Sequence, residues 1–199
     1  MEDTEKRDGK RSVRSVDFFR GFIRSPEQVG SVIPSSRFME RRITAMSELA
    51  EARCVVELGP GTGGTTKAIL AAMPADGRLL TIELDPQFSA ILDEIGDPRL
   101  ISHIGSAADL GQILKSHGLP QPDAVISGIP FSTMPRPVAD SIIEAIRDNL
   151  APAGRFLAYQ FRGHVARISE PLLGKPEQVE FELLNVPPMR FYLWRSQPA

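Results

Sequence analysis

Apolar residues along the chain gather in short runs that stop at glycine, proline or an acid. Residues 54–58 form one such run, interrupted only by Glu57, and it ends in Gly59-Pro60-Gly61-Thr62-Gly63-Gly64. Residues 79–82 stop at Glu83, residues 100–104 at Gly105, and residues 123–127 at Gly128-Ile129-Pro130-Phe131. With residues 155–161 these read as five strands. Between them lie stretches of helical character at 65–73, at 87–95 behind Pro86, at 107–117 before Gly118, and at 138–150. The last of these places Ile142, Ile143 and Ile146 on one side. Residues 181–186 and 190–194 read as a final antiparallel pair around Pro187-Pro188.

Strands that alternate with helices predict a mostly parallel sheet covered on both faces. The last two strands have no helix between them, which predicts an antiparallel edge on a seven-stranded α/β sheet. Residues 51–199 make up this body. Residues 1–50 read as an N-terminal appendage of amphipathic helices, packing at the sheet's carboxyl edge. The sequence contains no internal repeat, and no linker divides the body.

Composition narrows the picture. The 199 residues are 42% hydrophobic and 24% charged, which suits a packed domain and excludes global disorder. Cys54 is the single cysteine, so no internal disulfide forms and a reducing, cytosolic setting fits. Cys54 opens an apolar strand and reads as core, not nucleophile. No apolar run reaches the roughly 18–20 residues of a membrane span, and the polar, charged start predicts no secretory signal. His103, His117 and His164 lack the spacing of metal ligands, so no metal is expected.

Net charge is −2, which argues against a long nucleic-acid footprint. Its distribution matters more. Between Lys6 and Arg24 stand seven basic residues and two acidic ones. At 100° per residue Lys10, Arg14, Arg20 and Arg24 cluster on one side, while Phe18, Phe19, Phe22, Val16 and Ile23 occupy the other. A basic face opposite aromatics suits a helix lying in an anionic lipid interface, at about 1 kcal/mol per cation. It also suits a helix that covers a substrate pocket, and the two roles are compatible.

The glycine loop follows a strand and precedes a helix, the context of a nucleotide-type site. Gly59, Gly61 and Gly64 also fit the dinucleotide pattern G-x-G-x-x-G. Glu57 shifts the reading. Together Glu57, Gly59, Gly61 and Gly63 resemble the first motif of the class I S-adenosylmethionine (SAM) methyltransferases, in a Rossmann-like fold. The resemblance implies that Glu57 holds the cofactor's cationic amino-acid end; a carboxylate there would repel a pyrophosphate. It implies that Gly59, Pro60, Gly61, Thr62 and Gly63 line the cofactor, with Glu83 on the ribose hydroxyls and Leu84 beside it. After the third strand the family often has Gly-Asp-Ala, but this chain has Gly105-Ser106-Ala107. Ser106 could accept the adenine bond and Ala107 could pair with the ring. Asp109 is expected to cap or solvate the next helix.

Val29-Gly30-Ser31-Val32-Ile33-Pro34-Ser35-Ser36, the glycine loop, Thr81-Ile82-Glu83-Leu84-Asp85-Pro86 and Ser127-Gly128-Ile129-Pro130-Phe131 together resemble bacterial phospholipid N-methyltransferases. The resemblance runs from about Phe18 to Trp194. Ribosomal RNA adenine dimethylases share the first and second SAM motifs, and RNA adenine methylation is the alternative. A non-catalytic SAM-fold protein at the membrane is a further one, opposed by the intact Glu57, glycine loop and Glu83.

The lipid resemblance implies transfer of methyl groups to phosphatidylethanolamine and its methylated forms, towards phosphatidylcholine, with S-adenosylhomocysteine as product. It also implies a peripheral enzyme at the inner face of the cell membrane, with a phospholipid substrate and no nucleic acid. Lys10, Arg14, Phe18, Phe19, Arg20, Phe22 and Arg24 would bind the membrane. Ser127 and Phe131 would orient and cover the amine, the former also touching the cofactor. Tyr159 is the candidate proton acceptor and, with Phe131 and Phe19, a substrate contact. Arg162 and His164 could meet the lipid phosphate. Ser35 and Ser36 read as a helix N-cap whose free N–H groups could meet the SAM carboxylate.

Overall fold

The computed structural model describes residues 36–161, 163–185 and 188–197. Its strands are β1 (Cys54–Leu58), β2 (Arg78–Glu83), β3 (Leu100–Ile104), β4 (Ala124–Ser127), β5 (Arg155–Gln160), β6 (Gln178–Glu182) and β7 (Met189–Arg195). Its α-helices are α1 (Arg37–Ser47), α2 (Gly64–Ala72), α3 (Pro86–Asp93), α4 (Leu110–Ser116), α5 (Arg136–Asn149) and α6 (His164–Leu173). Short 3-10 turns span Leu49–Glu51, Ala107–Asp109 and Phe131–Thr133. The chain divides into two units, Met1–Ile33 and Pro34–Ala199, and all described elements belong to the second.

The sheet order is β3-β2-β1-β4-β5-β7-β6. Strands β1 to β5 run parallel, and β7 is antiparallel to both β5 and β6. This is the mostly parallel, seven-stranded α/β sheet with an antiparallel edge that the alternation of elements predicts. The strand order reverses between β1 and β4. Open α/β sheets bind ligands at such a switch point, outside the carboxyl ends of the strands.

All five residues of β1 are buried, as expected of a central strand covered on both faces. One core joins Val55, Leu79, Ala124, Ile126 and Leu157 of the sheet to Ile69 and Leu70 of α2. Met39, Ile43 and Met46 of α1 belong to the same core. Burying such a side chain contributes about 2 kcal/mol. Residues 36–50 are therefore part of the body, which moves its start back from the expected residue 51. Ser36 caps α1 by accepting a hydrogen bond from the Met39 N–H at 3.3 Å.

Three elements differ from expectation. Helix α6 lies between β5 and the antiparallel pair, where no helix was expected. Val165 and Ile168 face the interior at helical spacing. Pro171 inside the helix and Gly174 at its end mask that pattern in the sequence. The expected helix at 107–117 opens with a 3-10 turn before α4. Strand β6 starts three residues earlier than expected and ends at Glu182, so Leu183 and Leu184 fall in the connection to β7.

Candidate active site

Strands β1, β2 and β4 end side by side, and the backbone ties their loops together. The Gly59 N–H donates to the Ile82 carbonyl at 3.0 Å, the Gly128 N–H to the Leu58 carbonyl at 3.0 Å, and the Gly105 N–H to the Glu83 carbonyl at 2.9 Å. A Cβ at Gly59 would stand 3.3 Å from Ile129 Cγ1, so this position must stay small for the two loops to meet. At Gly61 the backbone has φ +54° and a Cβ would meet nothing within 4 Å. Backbone amide thus borders open space, as close approach of a ligand to the chain requires. Gly63 caps α2, Pro60 is buried and Thr62 is exposed.

Two carboxylates flank this loop. Glu57 is fully buried. Its Oε2 accepts from Thr66 Oγ1 at 2.7 Å, while Oε1 has no partner among the described residues. Burial, with a smaller push from Glu83, raises its pKa to about 7 against the opposing Thr66 hydrogen bond. An unpartnered buried carboxylate oxygen is costly. It fits a cationic or N–H donor group arriving from a ligand.

Glu83, at the end of β2, accepts from three backbone amides: Leu84 at 2.8 Å, Asp85 at 3.2 Å and Gly61 at 3.4 Å. Burial raises its pKa, and those three hydrogen bonds oppose the shift. The Gly61 contact joins the second acid directly to the glycine loop.

The remaining expected residues divide. Ser106 follows β3, and its hydroxyl accepts from the Ala108 N–H at 3.3 Å, so this side chain caps the 3-10 turn. Asp109 stands at the N-cap position of α4 without a side-chain capping hydrogen bond. Ala107 is buried and Leu84 is half-buried. Ser127 is buried, and its hydroxyl accepts from the Ile129 N–H at 3.3 Å, shaping the loop after β4. Gln160 strengthens the same loop through its side-chain amide, which donates to the Ile129 carbonyl.

Tyr159 is close by, but its surroundings do not suit a phenolate. A Cβ at Gly128 would overlap the Tyr159 hydroxyl, so glycine at 128 makes room for it. Burial raises the phenol pKa, the Glu57 charge raises it further, and a hydrogen bond with Thr65 opposes both. The neutral phenol is therefore the favoured form of Tyr159 in the free protein. Phe131 is enclosed more completely. It is 1% exposed and belongs among the largest enclosed core side chains, so its ring presents no open face over the loop.

His164 is exposed at the start of α6. Arg162 lies outside the described residues, as do Ser35, Lys10, Arg14, Phe18, Phe19, Arg20, Phe22 and Arg24. Thr66, Thr65 and Gln160 were not anticipated. The only sequence signal for the threonines is that polar residues open an otherwise apolar helix just behind the glycine loop. Among the described residues no group of three or more acidic, histidine or cysteine side chains could hold a metal ion. No helix among them is long and apolar enough to cross a membrane.

This arrangement can hold a ligand that carries a cation and a part needing close backbone approach, beside a second carboxylate. Comparison with known proteins points the same way. No family model matches the chain. An ornithine lipid N-methyltransferase of Singulisphaera acidiphila is 30% identical over 186 residues, covering 90% of this chain and 94% of that protein. A ribosomal RNA small subunit methyltransferase A of Phenylobacterium zucineum is 30% identical over 94 residues, covering 46% of this chain and 31% of that protein. The N-methyltransferase NodS of Bradyrhizobium japonicum, solved with S-adenosyl-L-homocysteine, superposes with a TM-score of 0.65 at 12% identity, covering 82% of this chain and 90% of that one.

Proposed function

Since the chain belongs to the bacterial lipid N-methyltransferase family of the Singulisphaera acidiphila enzyme, within the SAM-dependent methyltransferases, we propose that it methylates the amine of phosphatidylethanolamine and of its partly methylated forms. The observation that carries the cofactor assignment is the buried, unpartnered Oε1 of Glu57 beside the open glycine loop. When bound, SAM supplies a methyl group on a sulfonium, already a good leaving group. Glu57 would take the cofactor's ammonium, and Glu83 would accept its ribose hydroxyls. The backbone at Gly59, Gly61 and Gly63 would lie along it, with Leu84, Ser106 and Ala107 bordering the adenine.

The protein's remaining tasks concern the amine. A primary ammonium has a pKa of about 10, so forming the free amine at neutral pH costs about 4 kcal/mol. Desolvation favours loss of that proton. Holding the lone pair in line with the methyl group then replaces a bimolecular encounter by a positioned one. The loop from Ser127 to Phe131 is the support for this. Ser127 and Gln160 hydrogen-bond to it at Ile129, and the Tyr159 hydroxyl lies against Gly128. The Ile129 and Pro130 carbonyls each already accept two hydrogen bonds, so the Gly128 carbonyl is the acceptor the loop would offer an amine proton, and neutral Tyr159 could add one further acceptor.

The basic, aromatic segment of residues 10–24 supports a peripheral enzyme at the inner membrane face. The experiment is a reaction of the full chain with labelled SAM and vesicles containing phosphatidylethanolamine, vesicles containing an ornithine lipid, or ribosomal RNA. Thin-layer separation identifies the products. Label in mono- and dimethylated phosphatidylethanolamine is expected. Label confined to the ornithine lipid would replace the substrate, and label confined to RNA would overturn the lipid reading.

A further inference from the structure

The far end of the sheet carries an apolar surface that methyl transfer does not use. Strand β6 is the sheet's edge. Its successive side chains point to opposite faces. Glu180 and Glu182 both pair with Arg42 of α1, the latter at 3.1 Å. Val179 and Phe181 alternate with them and are 44% and 50% exposed. Beyond the strand, Leu183 is 74% exposed and Leu184 66%. Phe161, just past the end of β5, is 54% exposed. Exposed apolar side chains are ordinary when scattered; gathered at one rim they mark a contact surface.

Register places the group. Arg190 is the β7 partner of both Gln160 in β5 and Phe181 in β6. Gln160, Arg190 and Phe181 stand at one level, and Phe161 follows one residue beyond it, at the carboxyl edge of β5. This is the edge on which the candidate site opens. The Gln160 amide, bonded to the Ile129 carbonyl, joins the patch to the loop that would receive the amine.

The patch also has a cation without an acid. The Arg190 guanidinium carbon lies 5.1 Å from the centre of the Phe181 ring, and Arg190 has no ion pair among the described residues. The acids of β6 are engaged on the opposite face. Leu184 is held in place as well: its N–H donates to Glu182 Oε1 at 3.0 Å, while the other oxygen of that carboxylate takes Arg42.

We propose that Phe161, Phe181, Leu183 and Leu184, together with Arg190, form a membrane-docking surface that seats the sheet's carboxyl edge on an anionic bilayer. Leucine and phenylalanine would enter the boundary between headgroups and acyl chains, with the arginine at the level of the phosphates. The inference rests on the reading that the substrate is a membrane lipid. It adds a second contact, separate from residues 10–24, that would turn the amine-receiving loop towards the headgroups. The leucines project past the end of the ladder and do not flank it, and the unpaired cation beside them complements lipid phosphate. Both features favour a bilayer over a second copy of the chain.

The test uses the full chain and vesicles of phosphatidylglycerol with phosphatidylcholine, compared with phosphatidylcholine alone. Leu183→Ser with Leu184→Ser alters only exposed side chains. It should lower partition onto the anionic vesicles at least about 10-fold, because each apolar carbon withdrawn from the interface weakens attachment. SAM affinity should not change. Separately, the Leu183→Trp indole should be quenched by lipids brominated on their acyl chains. Support requires both results; undiminished partition or absence of quenching overturns the proposal. A solution dimer split by the double variant, with no quenching, would assign the patch to a second copy and also overturns it. Methyl transfer to a dispersed short-chain phosphatidylethanolamine separates the two readings. If the unmodified chain methylates no amine lipid, the functional reading fails, while partition and quenching still decide the patch.

Discussion

The two ends of the sheet's carboxyl edge are built by opposite rules. At β1 and β2 the edge is polar and withdrawn from water, with Glu57 fully buried and Glu83 only 9% exposed. At β5, β7 and β6 it is apolar and turned outward, with Leu183 74% exposed. Each arrangement opposes the usual sorting of polar residues outside and apolar residues inside. A departure from that sorting needs a partner to offset its cost. A cation for the buried acids and a lipid interface for the exposed leucines are partners of opposite character. The loop from Ser127 to Phe131 stands between them, where a headgroup and a methyl donor would have to meet.

The largest expected effect comes from removing the charge at the buried end. Glu57→Gln should weaken SAM binding about 10- to 100-fold, the loss of one charge-assisted hydrogen bond. The same variant should make the free protein more stable near neutral pH. The sign follows from the pKa, which folding raises from 4.5 to about 7. Below pH 4.5 the carboxyl is protonated in both folded and unfolded chains, and its contribution to stability is fully present. As pH rises towards 7 the unfolded chain ionises first, and about 3 kcal/mol of that contribution is lost. Denaturant titrations of the free protein should show stability falling over this window, and Glu57→Gln should flatten the fall. SAM affinity should move the other way, rising with pH until Glu57 is ionised. Calorimetry at pH 5.5 and 7.5 checks this. Equal affinity at both values would mean that Glu57 does not meet the cofactor's cation.

A second variant acts on the loop between the two ends. Gly128→Ala places a methyl group against the Tyr159 hydroxyl. Overpacking of this kind costs about 1–3 kcal/mol, and here the displaced groups border the proposed amine site. Methyl transfer should fall more than SAM binding does. Adding Tyr159→Phe should restore part of the stability by removing the overlapping oxygen. The restoration should be incomplete, because the ring carbon bearing that oxygen is itself 2.9 Å from the added methyl. No recovery at all would mean that Tyr159 does not set the position of this loop.

A smaller effect separates the two faces of the outer end. Arg42→Met breaks the pairs with Glu180 and Glu182 but leaves the apolar residues in place. The partly exposed pairs are worth about 1 kcal/mol together. Thermal stability should drop slightly. Vesicle partition should weaken too, since Glu182 holds the Leu184 amide and would gain freedom. Unchanged partition would show that the leucines need no support from α1.

The polar end of the edge was legible in the sequence, and the apolar end was not. Strand β1 announces itself by an apolar run cut short by glycines, and Glu57 sits two residues before the first of them. Punctuation so local survives without knowledge of the fold. Phe181 and Leu183 carry no such mark. They read as ordinary strand residues until the sheet order shows β6 at the edge with α1 on its other face. Register was equally hidden: β6 ends at Glu182, which puts Leu183 and Leu184 outside the ladder. Helix α6 escaped because Pro171 and Gly174 suggest a loop. Phe131 and Tyr159 were recognised by position, but the full burial of the one and partial burial of the other depend on packing from elements distant in the chain. A motif places a residue at the site; its protonation and exposure depend on what folds over it.

The smallest expected effect concerns the place where the polar end departs from its family. Ser106 stands where Asp is common, and its hydroxyl caps the Ala107–Asp109 turn. Ser, Asp and Asn cap about equally well, whereas alanine costs about 1 kcal/mol. Ser106→Ala should therefore lower stability slightly and leave SAM affinity within about threefold of the original, because a lost cap only loosens the backbone of the proposed adenine site. Ser106→Asp keeps the cap and supplies a stronger acceptor. It should bind SAM about threefold more tightly, with stability unchanged. The pair of variants separates a cap from a ligand contact. If Ser106→Ala costs SAM affinity as much as Glu57→Gln does, the hydroxyl itself touches the cofactor. If Ser106→Asp weakens binding, a third carboxylate is one too many beside Glu57 and Glu83, and serine at 106 avoids adding to the repulsion already present between those two buried acids.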